Sequence, residues 1–287
     1  MFYLPFKFRQ QNQYCTPKGP NFKFAQRIQF SINGNTISLR APRHRAGKYF
    51  PSRRVRNARS QYQISDTPID PVIHIEENDW GWTSVITRAW DFYGPWFTGQ
   101  LGRVELYAYI THSKKIPENT SYFHPRAFEN AIANYLTHSY GDRLFQGRQD
   151  WFAPVDWQPA PGFPCVAATF TAQPNKKTTY ADNTYYLVFP ITEHHLMVFS
   201  LSIERGRVYI GSEPQGDVDN WINRAPLDQL ARDIIHSVSL SLSPETEELQ
   251  RKALAGLSEE EAALSKTFLP LKWGEAPLPE ELRYQKK

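Results

Sequence analysis

The sequence predicts an α+β protein: antiparallel sheet with helices packed on a face. Three observations predict it. Strand-like stretches with period-two alternation arrive in adjacent groups and outnumber helical stretches up to residue 225, whereas doubly wound folds alternate the two. Only a few segments carry the 3.6-residue apolar stripe of a helix. Twenty-two prolines argue against a helical bundle, while eight tryptophans and 40% hydrophobic residues argue for a large folded core.

Residues 1–24 read as an irregular arm, because Gln10 to Gln13 and Pro17 to Pro20 lack periodicity and hold breakers. Phe22, Phe24, Ile28, Phe30 and Ile32 then alternate with polar residues, and Thr36 to Leu39 alternate again after Asn33-Gly34. That dipeptide accepts the positive φ angles of a type I′ turn, so a β-hairpin is predicted. Residues 40–60 are too charged for a core element and read as a loop. Strands are expected at Val72–Ile75, Thr83–Ile86 and Val104–Ile110, with an aromatic loop from Trp90 to Gly99 between the last two.

The first helix follows Pro125, which suits a first turn. Phe128, Ala131, Ile132, Tyr135 and Leu136 form its stripe, and Gly141 ends it. Residues 150–164, rich in Pro and Trp, read as a loop. Strands return at Val166–Thr171, Tyr185–Phe189 and Leu196–Ile203. A second helix spans Leu227–Val238, and Val238, Leu240 and Leu242 then alternate with serines as a short strand. Ser243-Pro244-Glu245 has the cap, proline and acid of a helix start. Ser258 to Glu261 reads as a capping box for one more helix. Residues 268–287 read as a Pro-rich tail wrapping the surface. The expected organisation is a basic arm and hairpin over 1–60 packing on an α+β body over 61–243, followed by helices and tail over 244–287.

Charge is unevenly placed. Residues 1–60 hold thirteen Lys or Arg and no Asp or Glu, although the whole chain nets only +4. Such asymmetry points to a basic face that meets nucleic acid, an acidic membrane or an acidic protein, or that folds against the acidic remainder of the chain. No apolar run is long enough to span a membrane, and the N-terminus lacks the h-region of a signal peptide, so a cytoplasmic protein is expected. Cys15 and Cys165 fit either one disulfide or two thiols in a reducing compartment.

Common catalytic signatures are missing: there is no nucleophile elbow, zinc-protease helix motif, phosphate-binding loop or dinucleotide fingerprint. No catalytic residue, metal or cofactor is therefore assigned. His194 and His195 adjoin; in a regular strand they face opposite ways and cannot share one metal, whereas in a turn they could. Cys165, beside Val166-Ala-Ala168, reads as a small buried hydrophobe rather than a nucleophile. Glu76-Glu77-Asn78-Asp79 beside Trp80 and Trp82 has the residue types to grip a sugar, metal or basic partner, or to form a solvated loop. Six of the eight tryptophans lie between residues 80 and 157, several beside Gly or Pro. They fit either binding anchors or the lid of a core. The run from Arg40 to Arg59, with Tyr49 and Phe50, has the charge and stacking groups of a nucleic-acid groove.

Tyr185-Tyr-Leu-Val-Phe-Pro190, Leu196-Met-Val-Phe-Ser-Leu201, Trp221 and then Leu230 to Leu242 together resemble the close of PsbP-like domains. In those domains, paired strands lead to a helix and a last strand. Similar closes occur in immunity proteins that protect bacteria from type VI secretion toxins. The resemblance covers about 60 residues, and neither the basic hairpin nor the helices after residue 243 belong to its pattern. It implies a non-catalytic binding domain.

The expectation is thus a non-enzymatic protein-binding protein, most concretely an immunity protein occluding a toxin's active site. Its acidic protein partner would meet Arg53, Arg54, Arg56, Trp80, Trp82, Trp90 and Trp96. The alternatives are a hydrolase or sugar-active enzyme using the Glu76–Asp79 carboxylates, and a nucleic-acid binder using residues 40–59.

Overall fold

The computed structural model describes residues 14–46, 61–62, 80–95, 99–117, 119–145, 148–175, 182–206, 209–210, 213–214 and 218–273. In chain order its elements are β1 (Gln26–Ile32), β2 (Asn35–Ala41), β3 (Gln61–Tyr62), β4 (Trp80–Tyr93), β5 (Gln100–Ser113), α1 (Pro125–Tyr140), β6 (Leu144–Phe145), β7 (Arg148–Gln149), β8 (Trp151–Pro159), β9 (Ala168–Pro174), β10 (Thr184–Pro190), β11 (Leu196–Arg205), β12 (Tyr209–Ile210), β13 (Glu213–Pro214), α2 (Ala225–His236), β14 (Ser239–Ser241) and α3 (Pro244–Leu254). The fold class is α+β. A six-stranded antiparallel sheet of order β4-β5-β11-β10-β9-β8 lies at the centre. A smaller sheet of order β14-β2-β1-β3 is antiparallel except where β3 pairs with β1. Among the described residues no helix is long and apolar enough to cross a membrane.

The hairpin forms as the Asn-Gly signal predicts. Asn33 and Gly34 take φ of 47° and 80°, and β1 pairs with β2 in unbroken register from Gln26↔Ala41 to Ile32↔Asn35. Its inward residues Ile28, Phe30, Ile32, Ile37 and Leu39 pack with Val104, Leu106, Phe199 and Leu201 of the central sheet and with Leu227, Leu230 and Ile234 of α2. Hairpin and central sheet therefore share one core. The opposite face of the central sheet packs Phe170, Tyr186 and Val198 against Phe128, Ile132 and Leu136 of α1. Burial on both faces explains why β10 and β11 read as nearly continuous apolar runs rather than alternating ones.

Asn35 locks the small sheet to its surroundings. Fully buried, it donates from Nδ2 to Ile191 O (2.9 Å), and its Oδ1 accepts from Ser243 N (2.9 Å). Ser243 in turn caps α3 by accepting from Thr246 N. Helix α1 begins as expected at Pro125, but its cap is His124, whose Nδ1 accepts from Arg126 N.

Four expectations fail. Trp90 belongs to strand β4, not to a loop, because β4 runs on to Tyr93. Residues 151–159, read as loop, form β8, whose Ala153 and Trp157 are buried beneath the C-terminal segment. The Ser258–Glu261 capping box closes as predicted: Ser258 N donates to Glu261 Oε2 (2.9 Å) and Glu261 N to Ser258 Oγ (3.3 Å). No helix grows from it, because the following backbone is taken by α1: Glu129 accepts from Ser265 N, and Arg126 donates to Ala263 O. The tail is more than a surface wrap as far as residue 273. Leu271 and Trp273 are buried, Leu271 N donates to Ala153 O (2.9 Å), and Trp273 Nε1 donates to Thr137 Oγ1 (3.2 Å). The expected strand at Val72–Ile75 lies outside the described residues.

Candidate interaction face

The hairpin register decides what its outer face presents. With Ile28 and Leu39 turned inward, Arg27 and Arg40 stand directly opposite each other on the outer face, and both are exposed. Gln29↔Ser38 and Ser31↔Thr36 continue this face, and Ser239 and Ser241 of β14 extend it through their pairing with Ser38 and Thr36. Ser38 Oγ and Ser239 Oγ share a hydrogen bond of 2.8 Å. The result is a flat surface of hydroxyls and one amide around two guanidinium groups, with no carboxylate among those eight residues.

Like charges placed directly across a strand pair oppose folding. Neither arginine is relieved by an acid: among the described residues no ion pair involves Arg27 or Arg40. The Arg40 guanidinium lies over the Phe22 ring, 5.3 Å from its centroid, which holds it without cancelling its charge. Lys18, Lys23, Arg43 and Arg45 are also exposed and in no ion pair among the described residues. The described basic residues of the N-terminal region are thus not neutralised by any acid among the described residues. Where the chain does pair its charges, it does so elsewhere. Asp91 with Arg103 (2.7 Å), Arg103 with Glu105 (3.6 Å) and Arg205 with Asp182 (2.6 Å) are all nearly buried and internally matched.

The tryptophans divide sharply. Trp90 has no exposed surface, and its indole N–H donates to Arg43 O (2.9 Å), so it is a core residue and cannot anchor a partner. Trp80, 8% exposed, packs edge-on against Tyr135 under α1 and is likewise withdrawn. Trp82 is 44% exposed and touches Tyr109 edge-on. It remains available on the surface, although it shares a face of β4 with the buried Trp80 two residues before it. Arg53, Arg54, Arg56, Trp96, the Glu76–Asp79 acids and most of the 40–59 segment lie outside the described residues.

Both cysteines are free thiols. Cys165 is buried and its Sγ faces Pro190 O at 3.8 Å; burial pushes its thiol up to about 12, so it is the inert small hydrophobe expected rather than a nucleophile. Glu105 lies nearly buried beside Tyr107, whose hydroxyl donates to it (2.9 Å), and burial raises its carboxyl. Arg103 and Asp91 lie beside it in the same array of paired charges.

Arg27 and Arg40 were missed as a pair, although the signal was present. A two-residue turn at Asn33-Gly34 fixes 27 opposite 40, and the apolar alternation fixes which face they share. Comparison with family models, with curated proteins and with solved structures yields no match to this chain.

Proposed function

We propose that this chain is a non-enzymatic binding protein that docks an acidic protein surface on the outer face of its small sheet. The observation that supports this reading most directly is the exposed cross-strand pair Arg27 and Arg40, two like charges held side by side with no ion pair among the described residues to relieve them. A partner carboxylate set against them removes the repulsion and gains charge-assisted, bidentate hydrogen bonds that a guanidinium fork is shaped to make. The serine and threonine hydroxyls around them supply neutral donors and acceptors. Lys18, Lys23, Arg43 and Arg45 add the wider positive field that steers an acidic partner towards the site.

An acidic protein is favoured over nucleic acid by the make-up of the face. None of Arg27, Gln29, Ser31, Thr36, Ser38, Arg40, Ser239 and Ser241 is aromatic, and the Phe22 ring beside them is half-buried and covered by the Arg40 guanidinium, so these eight residues offer bases no stacking platform of their own. An immunity-type role in the cytoplasm, with a toxin as the partner, is the most concrete form of the proposal and the one that the likeness to PsbP-like immunity proteins implies.

The test is binding of a poly-glutamate peptide and of single- and double-stranded DNA, each followed across a salt series. The expected result is binding of the acidic peptide that weakens as salt rises and falls at least about tenfold in the Arg27→Glu/Arg40→Glu variant, a loss of about 1.4 kcal/mol. Undiminished peptide binding by that variant overturns the proposal. Tighter, salt-dependent binding of DNA than of peptide transfers the face to a nucleic-acid role.

A further inference from the structure

His112 near the end of β5 and His195 just before β11 occupy the next cross-strand position beyond Leu196↔Thr111. By alternation they lie on the same face as Ile110 and Met197, at the rim of the core shared with the hairpin. Their ring centroids are 5.2 Å apart, and the planes are tilted by 32°. Two imidazoles that share a tetrahedral Zn²⁺ through ring nitrogens at about 2.0–2.1 Å hold their ring centroids about 5 Å apart, a separation that the observed pair matches.

Two further features agree. Thr192 Oγ1 sits 2.8 Å from His195 Nδ1, which fixes that ring and makes Nε2 the nitrogen left to bind a metal. A side chain that orients the other ring nitrogen is the usual support of a metal-bound histidine. On β4 the residue paired with His112 is Gly81, which sets no side chain beside the imidazole. His194, the sequence neighbour, points away and is held by Thr120 O (2.9 Å).

We propose that His112 and His195 form a two-histidine site for a borderline transition metal ion, Zn²⁺, Ni²⁺ or Cu²⁺, completed by water and oriented by Thr192. Among the described residues no cluster of three or more His, Cys, Asp or Glu exists to hold a metal, so this pair supplies two protein ligands and no third. This inference is independent of the docking face.

The test is calorimetric titration of the full, tag-free chain with ZnCl₂. Expected is one bound equivalent that is lost in His112→Gln and in His195→Gln, retained in His194→Gln, and weakened about tenfold in Thr192→Ala. Cu²⁺ titrated into the wild-type protein gives a reading that does not depend on a variant folding: the electron paramagnetic resonance spectrum should show two imidazole nitrogens. Failure of the wild-type chain to bind, binding that survives the double His112→Gln/His195→Gln change, or a copper spectrum with fewer than two nitrogens overturns the proposal.

Discussion

Arg205 and Asp182 form a bidentate ion pair out of reach of solvent. Arg205 Nε and Nη2 donate to the two Asp182 oxygens at 2.8 and 2.6 Å, and both side chains are 1% exposed. Arg205 also donates from Nη1 to Ile222 O (2.9 Å) and meets Asp219 at 2.6 Å, so the end of β11 holds the 218–222 turn. That turn in turn bonds Cys15 through Trp221 O and Asn223 N. Asp182→Ala leaves an arginine buried beside a single, more exposed acid. The expected cost is about 3–5 kcal/mol in urea unfolding, whereas Asp219→Ala costs less than about 1 kcal/mol because Asp219 is half exposed.

Asn35 couples the hairpin turn to α3. Asn35→Ala strands Ile191 O and Ser243 N in the interior and is expected to cost about 2–4 kcal/mol in the same assay. A loss below about 1 kcal/mol would show that water replaces both bonds.

Trp90 and Trp82 lie on one strand and should behave oppositely. Trp90→Ala empties a fully buried site and is expected to cost about 3–5 kcal/mol of stability. Trp82→Ala, at a half-open site, should cost less than about 1 kcal/mol. Chemical denaturation of the two variants side by side checks the contrast.

The phenols of Tyr109, Tyr135, Tyr140 and Tyr186 gather between α1 and the central sheet. Tyr109 bonds Tyr135, and Tyr140 bonds Tyr186 at 2.6 Å. Burial raises all four, Tyr140 to about 12. Because the folded state holds these protons more tightly than the unfolded chain, stability falls as pH rises from about 10 towards 12. Phenolate absorbance from these four should therefore rise together with loss of far-ultraviolet circular dichroism. Ionisation of all tyrosines before unfolding would contradict the cluster.

Local chemistry was legible because it acts over a few residues. Asn33-Gly34 takes the positive φ pair that its side chains tolerate, Pro125 starts α1, and Ser243 caps α3. Even the Ser258–Glu261 hydrogen bonds were correct; only the helix beyond them was not, because side chains of α1 compete for its backbone.

By itself, the chain's order of residues determined the α+β class, the hairpin with its register, the two main helices and the concentration of positive charge near the N-terminus. The hairpin register also placed Arg27 against Arg40. Tertiary structure alone decided that Trp90 is interior, that β8 is a strand, that Leu271 and Trp273 complete a core, and that His112 meets His195 rather than His194 meeting anything of its kind. The division has one physical cause. Turn, cap and alternation preferences depend on a residue's immediate neighbours, whereas burial and pairing across a sheet depend on which distant strand closes against it, and no local preference encodes that choice.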